Sequence, residues 1–354
     1  MGCRRFSAHA SNETRLADDQ LLDVSGLTVD FAFGQTRLRA VDNISYTLRA
    51  GECLGIVGES GSGKSVSALA LLNLVPPPGR ITAGRVRFDG QELLALPLDQ
   101  LRRVRGAKIA MVFQDPNASL NPLFTIGRQL SDVIRTHWRC SATEAKARAL
   151  EVLSEVGFSD PTRRFGAYPF ELSGGLRQRV SIAMALSCRP KLVIADEPTT
   201  NLDVSIQAQI IDLLWDLKEK FGFAIIFISH DLGVVASIAE RVMIMYGGQQ
   251  LELGPVANVL NDPLNPYAKA LLASAPTLET RRSERLPSIP GAPPHLGHMP
   301  KGCPFAPRCP DVIDTCRELR PAWLEISPQR WSACHVVAAR HAQPMHAARL
   351  EESS

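Results

Sequence analysis

Two periodicities of apolar and polar residues alternate along this chain. LLDVSGLTVDFAF and RLRAVDNISYTL switch between apolar and polar positions, as half-buried strands do, and GECLGIVG ends the run as a short β segment. Ser65 to Leu74 has helical spacing and stops at Pro76-Pro77-Pro78-Gly79. RVRFDG reads as a strand, and KIAMVFQ as a buried strand before the loop DPNASLNPLF. From Thr125 to about Phe170 the pattern is helical, most clearly over Glu144–Val156. A helix is expected from Ser173 to about Ser187, then the buried strand LVIAD, a helix from about Ser205 to Lys220, and the apolar strand FAIIFIS. VMIMYGGQQLELG reads as a hairpin turning at Gly247-Gly248. Strands alternating with helices in this way predict an α/β fold, a mainly parallel sheet with helices on both faces.

The 354 residues leave room for two or three domains. The periodicity lapses after about Ala275, where LPSIPGAPPHLGHMP reads as a Pro/Gly linker. The expected organisation is a tail over 1–20, a main unit over 21–258 with its helical part at about 115–180, a C-terminal extension over 259–336 and a tail over 337–354. No internal repeat is visible. A net charge of +3 and 6% aromatic residues argue against nucleic acid as a partner. No apolar run approaches the roughly 18 residues of a membrane-spanning helix. MGCRRFSAHASNETR lacks the apolar segment of an export signal, and Phe6 stands where myristoylation requires Ser or Thr, so a cytosolic tail is expected.

Three motifs carry chemistry. Gly58-Glu59-Ser60-Gly61-Ser62-Gly63-Lys64-Ser65 fits G-x-x-x-x-G-K-[ST] between an apolar strand and a helix. Glycines let backbone N–H groups close on phosphate oxygens, and the helix N-terminus favours the anion. Lys64 is placed to reach the β- and γ-phosphates, and Ser65 to ligate Mg²⁺. LVIADEP puts Asp196 and Glu197 at the end of a buried strand, where α/β sheets bind ligands. There Asp196 would hold Mg²⁺ through water and Glu197 would polarise the attacking water. Leu172-Ser173-Gly174-Gly175-Leu176-Arg177-Gln178 opens a helix with bare N–H groups, a second anion site.

With these three motifs in this order, the chain resembles the ABC ATPase family, in which an LSGGQ-type signature completes the ATP site of the opposing subunit. Leu176 replaces the usual Gln, which leaves the contacts of Ser173, Gly174 and Gly175 intact. The resemblance implies further roles. Gln114 matches the Q-loop glutamine that watches Mg²⁺ and water, and His230 the switch histidine that contacts the γ-phosphate. Asn201-Leu202-Asp203 matches the D-loop, with Asn201 where Ala is more usual. Phe31 or Phe33 is the candidate to stack on adenine, as an aromatic does in this family.

FQDPNASLNP, NDPLNPYAKALLASAP and GCPFAPRCP are similar to segments of the D-type ATPases of dipeptide and oligopeptide importers. That resemblance implies a RecA-like parallel core, an N-terminal antiparallel β subdomain, a helical signature subdomain and a small Cys-containing extension. It implies ATP hydrolysis that powers peptide import. The implied partners are two transmembrane permease subunits, a second, paralogous ATPase and, indirectly, an extracytoplasmic peptide-binding protein. The implied location is the cytoplasmic face of the inner membrane, with the loop Asp115–Phe124 receiving a permease. Dipeptides, longer peptides, glutathione, nickel chelates and modified sugars all remain open as cargo. The competing reading is a soluble ABC ATPase acting on ribosomes or DNA. Such proteins usually carry two cassettes or a coiled-coil insertion, and neither pattern is present. A P-loop kinase requires none of LSGG, the D-loop or the switch histidine.

Cys303, Cys309, Cys316 and Cys334 follow the spacing C-x5-C-x6-C-x17-C. Zinc sites prefer closer pairs, whereas four thiolates on loops suit a 4Fe–4S cluster, which some members of the resembled family carry. Zinc, free thiols and disulfides are the other readings, and His335 beside Cys334 is an alternative ligand.

Overall fold

The computed structural model describes residues 20–200, 202–274 and 288–341. Asn201, most of both expected tails and the start of the Pro/Gly linker lie outside them.

The two alternating segments at the start form β1 (Gln20–Phe33) and β2 (Thr36–Arg49). With β4 (Gly79–Phe88) and β5 (Gln91–Glu92) they make an antiparallel sheet in the order β2-β1-β4-β5. The continuous apolar runs become the parallel core strands β3 (Cys53–Val57), β6 (Ile109–Val112), β7 (Leu192–Asp196), β8 (Ala224–Ser229) and β9 (Arg241–Tyr246). Their order is β9-β3-β8-β7-β6.

Strands covered on both faces must be apolar at every position. In β8, Ile226 and Ile228 join the core on the β-subdomain side, while Ile225 and Phe227 join the core on the helical side. Helices were expected on both faces. They are found on both, and on one of them the helix Lys64–Leu71 shares the cover with the expected antiparallel sheet. Half-polar strands can cap the apolar sheet there because their own alternation leaves one face buried.

The helical region resolves into Ile126–His137, Ala142–Glu155, Pro161–Arg164 and Gly174–Leu186. Ser141 and Glu144 form a reciprocal capping box that starts the second of these. At the hairpin between β9 and β10 (Gln249–Pro255), Gly247 and Gly248 both take positive φ, 54° and 80°, as a tight turn of this kind requires.

The extension does not stand apart from the main unit. β12 (Arg330–Ser332) pairs with β10, and β11 (Leu324–Ser327) pairs with β12, so the main sheet runs on through it. Phe305 and Ala333 sink into the helical-side core. A segment with so few apolar residues gains its burial by borrowing a sheet edge.

Candidate nucleotide site

The loop between β3 and the helix Lys64–Leu71 shapes the site. Gly63 has φ of 96°, and a Cβ there would lie 2.5 Å from the Ala40 carbonyl oxygen. A Cβ at Gly58 would lie 2.1 Å from the carbonyl oxygen of Met245. Only glycine lets this loop sit against both neighbouring strands. The Lys64 ammonium donates to the carbonyls of Gly58 (2.7 Å) and Glu59 (3.1 Å), folding the loop around itself. Burial pulls the pKa of Lys64 down, against the opposing charges of Glu197, Asp196 and Glu59.

A cavity of about 520 Å³ opens above this loop. Ser60, Gly61, Ser62, Gly63, Lys64, Ser65, Gln114, Glu197 and His230 line it, together with Val66. Residues from four separate stretches of the chain therefore meet at one place. Glu197 Oε2 is their point of convergence. It accepts from Gln114 Nε2 at 3.0 Å and Thr200 Oγ1 at 2.9 Å, and lies 3.5 Å from His230 Nδ1. The Glu197 backbone has φ of 45°, left-handed for a residue with a side chain, while its N–H donates to the Ile228 carbonyl at 3.0 Å. Strain of this type is kept where a side chain must be aimed.

Ser65 Oγ donates to Asp196 Oδ1 at 2.9 Å. Burial pushes the Asp196 carboxyl pKa up, and the nearby Glu197 adds to this against the Ser65 hydroxyl bond and Lys64. A buried carboxylate beside a hydroxyl, at the foot of an anion-binding loop, is the oxygen donor set that a hard cation such as Mg²⁺ needs. The residues fit that ion.

The signature lies elsewhere on the surface. Ser173 caps the helix Gly174–Leu186, accepting the Leu176 N–H at 3.4 Å. A Cβ on Gly175 would come within 2.7 Å of Ile206, so Gly175 packs against the helix Val204–Phe221, while Gly174 faces Leu202 just before it. Ser173, Gly174, Gly175 and Asp203 do not line the cavity. Asp203 sits at the start of the helix Val204–Phe221, exposed and without a side-chain capping bond. Phe31 packs at Gly79, where an added Cβ would lie 2.7 Å from the ring, and it too is outside the cavity lining. Phe33 is the exposed ring of the two, at 55%.

Sequence reasoning missed Thr200, whose only signal was its place three residues after Glu197. It also missed Tyr267 and Arg308, which hold Glu59; both lie in segments that carried the importer resemblance, NDPLNPYAKALLASAP and GCPFAPRCP, but nothing local pointed them at the loop.

The four-cysteine module gives a mixed result. All four thiols are free. Among the described residues, no three of His, Cys, Asp and Glu gather as ligands of a metal ion, so this geometry does not bear out the expected 4Fe–4S centre. Yet Cys303 is near enough to Cys316, Cys334 and Cys309 for their charges to raise its pKa, after burial, to about 12. Burial pushes Cys309 up to about 11. Backbone N–H groups of Phe305, of Asp311, and of Val337 and Val336 partly offset this rise for Cys303, Cys309 and Cys334 respectively. His335 instead bonds the Leu319 carbonyl at 3.0 Å.

Residues 41–200 match the family described as ABC transporter, and residues 251–316 match "Oligopeptide/dipeptide transporter, C-terminal region". The chain is 47% identical to the dipeptide transport ATP-binding protein DppD of Escherichia coli over 315 residues, 89% of this chain and 96% of that protein. It is 50% identical to the oligopeptide transport ATP-binding protein OppD of Salmonella typhimurium, over 89% of this chain and 93% of that one. Among solved structures, the dimeric bacterial ABC transporter cassette MJ0796 matches with a TM-score of 0.59 and 31% identity. That match covers 67% of this chain and 99% of the cassette.

Proposed function

Because this chain belongs to the ABC transporter family, as an ATP-binding subunit that hydrolyses ATP to power peptide import, we propose how its own residues do that work. The observation that carries the proposal is the meeting of Gln114, Thr200 and His230 on one oxygen of Glu197, at the rim of the loop cavity. The glycine-rich loop and Lys64 cradle the phosphates. Ser65 and Asp196 hold Mg²⁺, which when bound draws charge from the phosphate oxygens. Glu197 orients the attacking water and accepts its proton, aimed by Thr200 and Gln114. His230, 3.5 Å from Glu197 Oε2, contacts the γ-phosphate.

Ser173, Gly174, Gly175 and Asp203 act on the nucleotide of a second ATPase subunit, a paralogue, when two such chains close on ATP. Support comes from their place outside this chain's own cavity and from the helix start that frees their N–H groups. Phe33 is better exposed than Phe31 to meet adenine.

The partners proposed are two permease subunits and, indirectly, an extracytoplasmic peptide-binding protein. Among the described residues no helix is long and apolar enough to cross a membrane. The location proposed is the cytoplasmic face of the inner membrane, held peripherally by the permeases, on the likeness to transport ATP-binding proteins. Leu123 (77% exposed) and Phe170 (69% exposed) flank the helical subdomain and offer apolar contacts for a permease helix. The cargo is proposed to be a di- or oligopeptide. Peptide titrated onto the chain reconstituted with its permeases and binding protein should stimulate ATP hydrolysis severalfold. Stimulation by nickel chelates or sugars but not by peptides would reassign the cargo.

Cys303, Cys309, Cys316 and Cys334 are proposed to hold one 4Fe–4S cluster with a structural role. The free thiols and the nearness of Cys303 to the other three support it. Chain purified without oxygen should absorb broadly near ~400 nm and contain about four irons, and Cys309→Ser should lose them. Stoichiometric zinc, or two mapped disulfides, would replace this reading.

A further inference from the structure

The second residue of the phosphate loop is held from outside the ATPase core. The Glu59 carboxylate receives Arg308 Nη1 at 2.7 Å, and the Glu59 N–H donates to Tyr267 Oη at 3.0 Å. Tyr267 and Arg308 both come from the C-terminal extension. Arg308 is fixed on all sides. Its side chain is 7% exposed, and it also donates to Tyr246 Oη at 3.0 Å and to the carbonyls of Pro290 and Ile289 at 2.9 and 3.1 Å. Phe305, three residues earlier, packs edge-on to Tyr246 (5.3 Å between centroids) and against Tyr267 (5.2 Å).

We infer that Arg308 is a positioning residue for ATP binding, neutralising and orienting Glu59 so that the loop can accept phosphates. The physical need is plain. Glu59 is an anion within the loop that must bind a polyanion, and its charge is felt by Lys64. Its own carbonyl also takes one of the Lys64 hydrogen bonds. An uncompensated carboxylate here repels the incoming phosphates and competes for Lys64. With Arg308 in place, the carboxylate is turned away into a bonded pair. Because Arg308 directly precedes Cys309 in the short turn Ala306–Arg308, whatever orders the four-thiol module also fixes the guanidinium. The extension thereby gains a direct hold on nucleotide affinity.

The test measures equilibrium binding of Mg-ATP to the full chain, well below its melting temperature. Arg308→Met keeps the apolar stem against Tyr246 and removes the charge. It should weaken ATP binding about tenfold or more, and the loss should shrink at high salt as repulsion is screened. Adding Glu59→Gln should recover most of that affinity, because the anion that Arg308 offsets is then gone. The affinity of Glu59→Gln alone sets the level against which that recovery is read. A role in folding alone would lower the melting temperature of Arg308→Met with unchanged affinity, or leave a weakened affinity that Glu59→Gln does not restore. Either result overturns the inference. Should Arg308→Met not fold, Arg308→Gln keeps a hydrogen-bond donor while losing the charge, and its affinity with and without Glu59→Gln decides by the same comparison.

Discussion

Glu197→Gln should abolish turnover while leaving nucleotide binding in place. The amide keeps the size of the side chain and can still bond Gln114 and Thr200, both within 3.0 Å of Oε2. It cannot accept the proton of the attacking water or orient it by charge. Losing a positioned general base typically costs at least ~100-fold in rate, roughly 2.7 kcal/mol of barrier. ATP should then persist, and the assembled protein should be trapped as a closed, ATP-loaded pair of ATPase subunits. Single-turnover hydrolysis and size analysis with ATP check both statements. Turnover near that of the unaltered complex would remove Glu197 from the base role.

Ser173→Arg should separate binding from hydrolysis in a different way. Ser173 lies outside the cavity formed by its own chain, so ATP affinity of the isolated chain should change by less than about threefold. The assembled complex should lose at least ~100-fold of its ATPase rate, because a bulky cation would block the surface proposed to meet the neighbour's phosphates. Loss of the capping bond to the Leu176 N–H should cost only about 1 kcal/mol of helix stability. An equal collapse of ATP affinity in the isolated chain would show that the signature serves its own nucleotide.

Much of this site could be read from local sequence because its parts are short and their physics is local. A glycine-rich turn between an apolar strand and a helix binds phosphate wherever it occurs. LVIAD must be a buried strand, so its terminal carboxylates must emerge at the sheet end. Likewise the alternation in β1 and β2 and the Gly247-Gly248 turn follow from side-chain period and positive φ. The order of the motifs then identified the family, which relatives at 47–50% identity bear out.

Long-range geometry was another matter. Nothing local tells that Gln114 and Glu197, separated by 83 positions, share a hydrogen bond, or that Arg308 reaches Glu59 across 249. Nor does composition reveal that a Pro-rich extension would extend the main sheet through β12. A strand edge is a row of unpaired backbone groups, and backbone groups look alike in every sequence. The sequence by itself determined which residues can do chemistry and which strands must be buried, since both depend on side-chain type and spacing. Only the tertiary structure decided which of those residues converge on one oxygen of Glu197, and that the extension grips the phosphate loop. Convergence depends on how sheet edges and loops pack across the whole fold, and no window of the chain contains that packing.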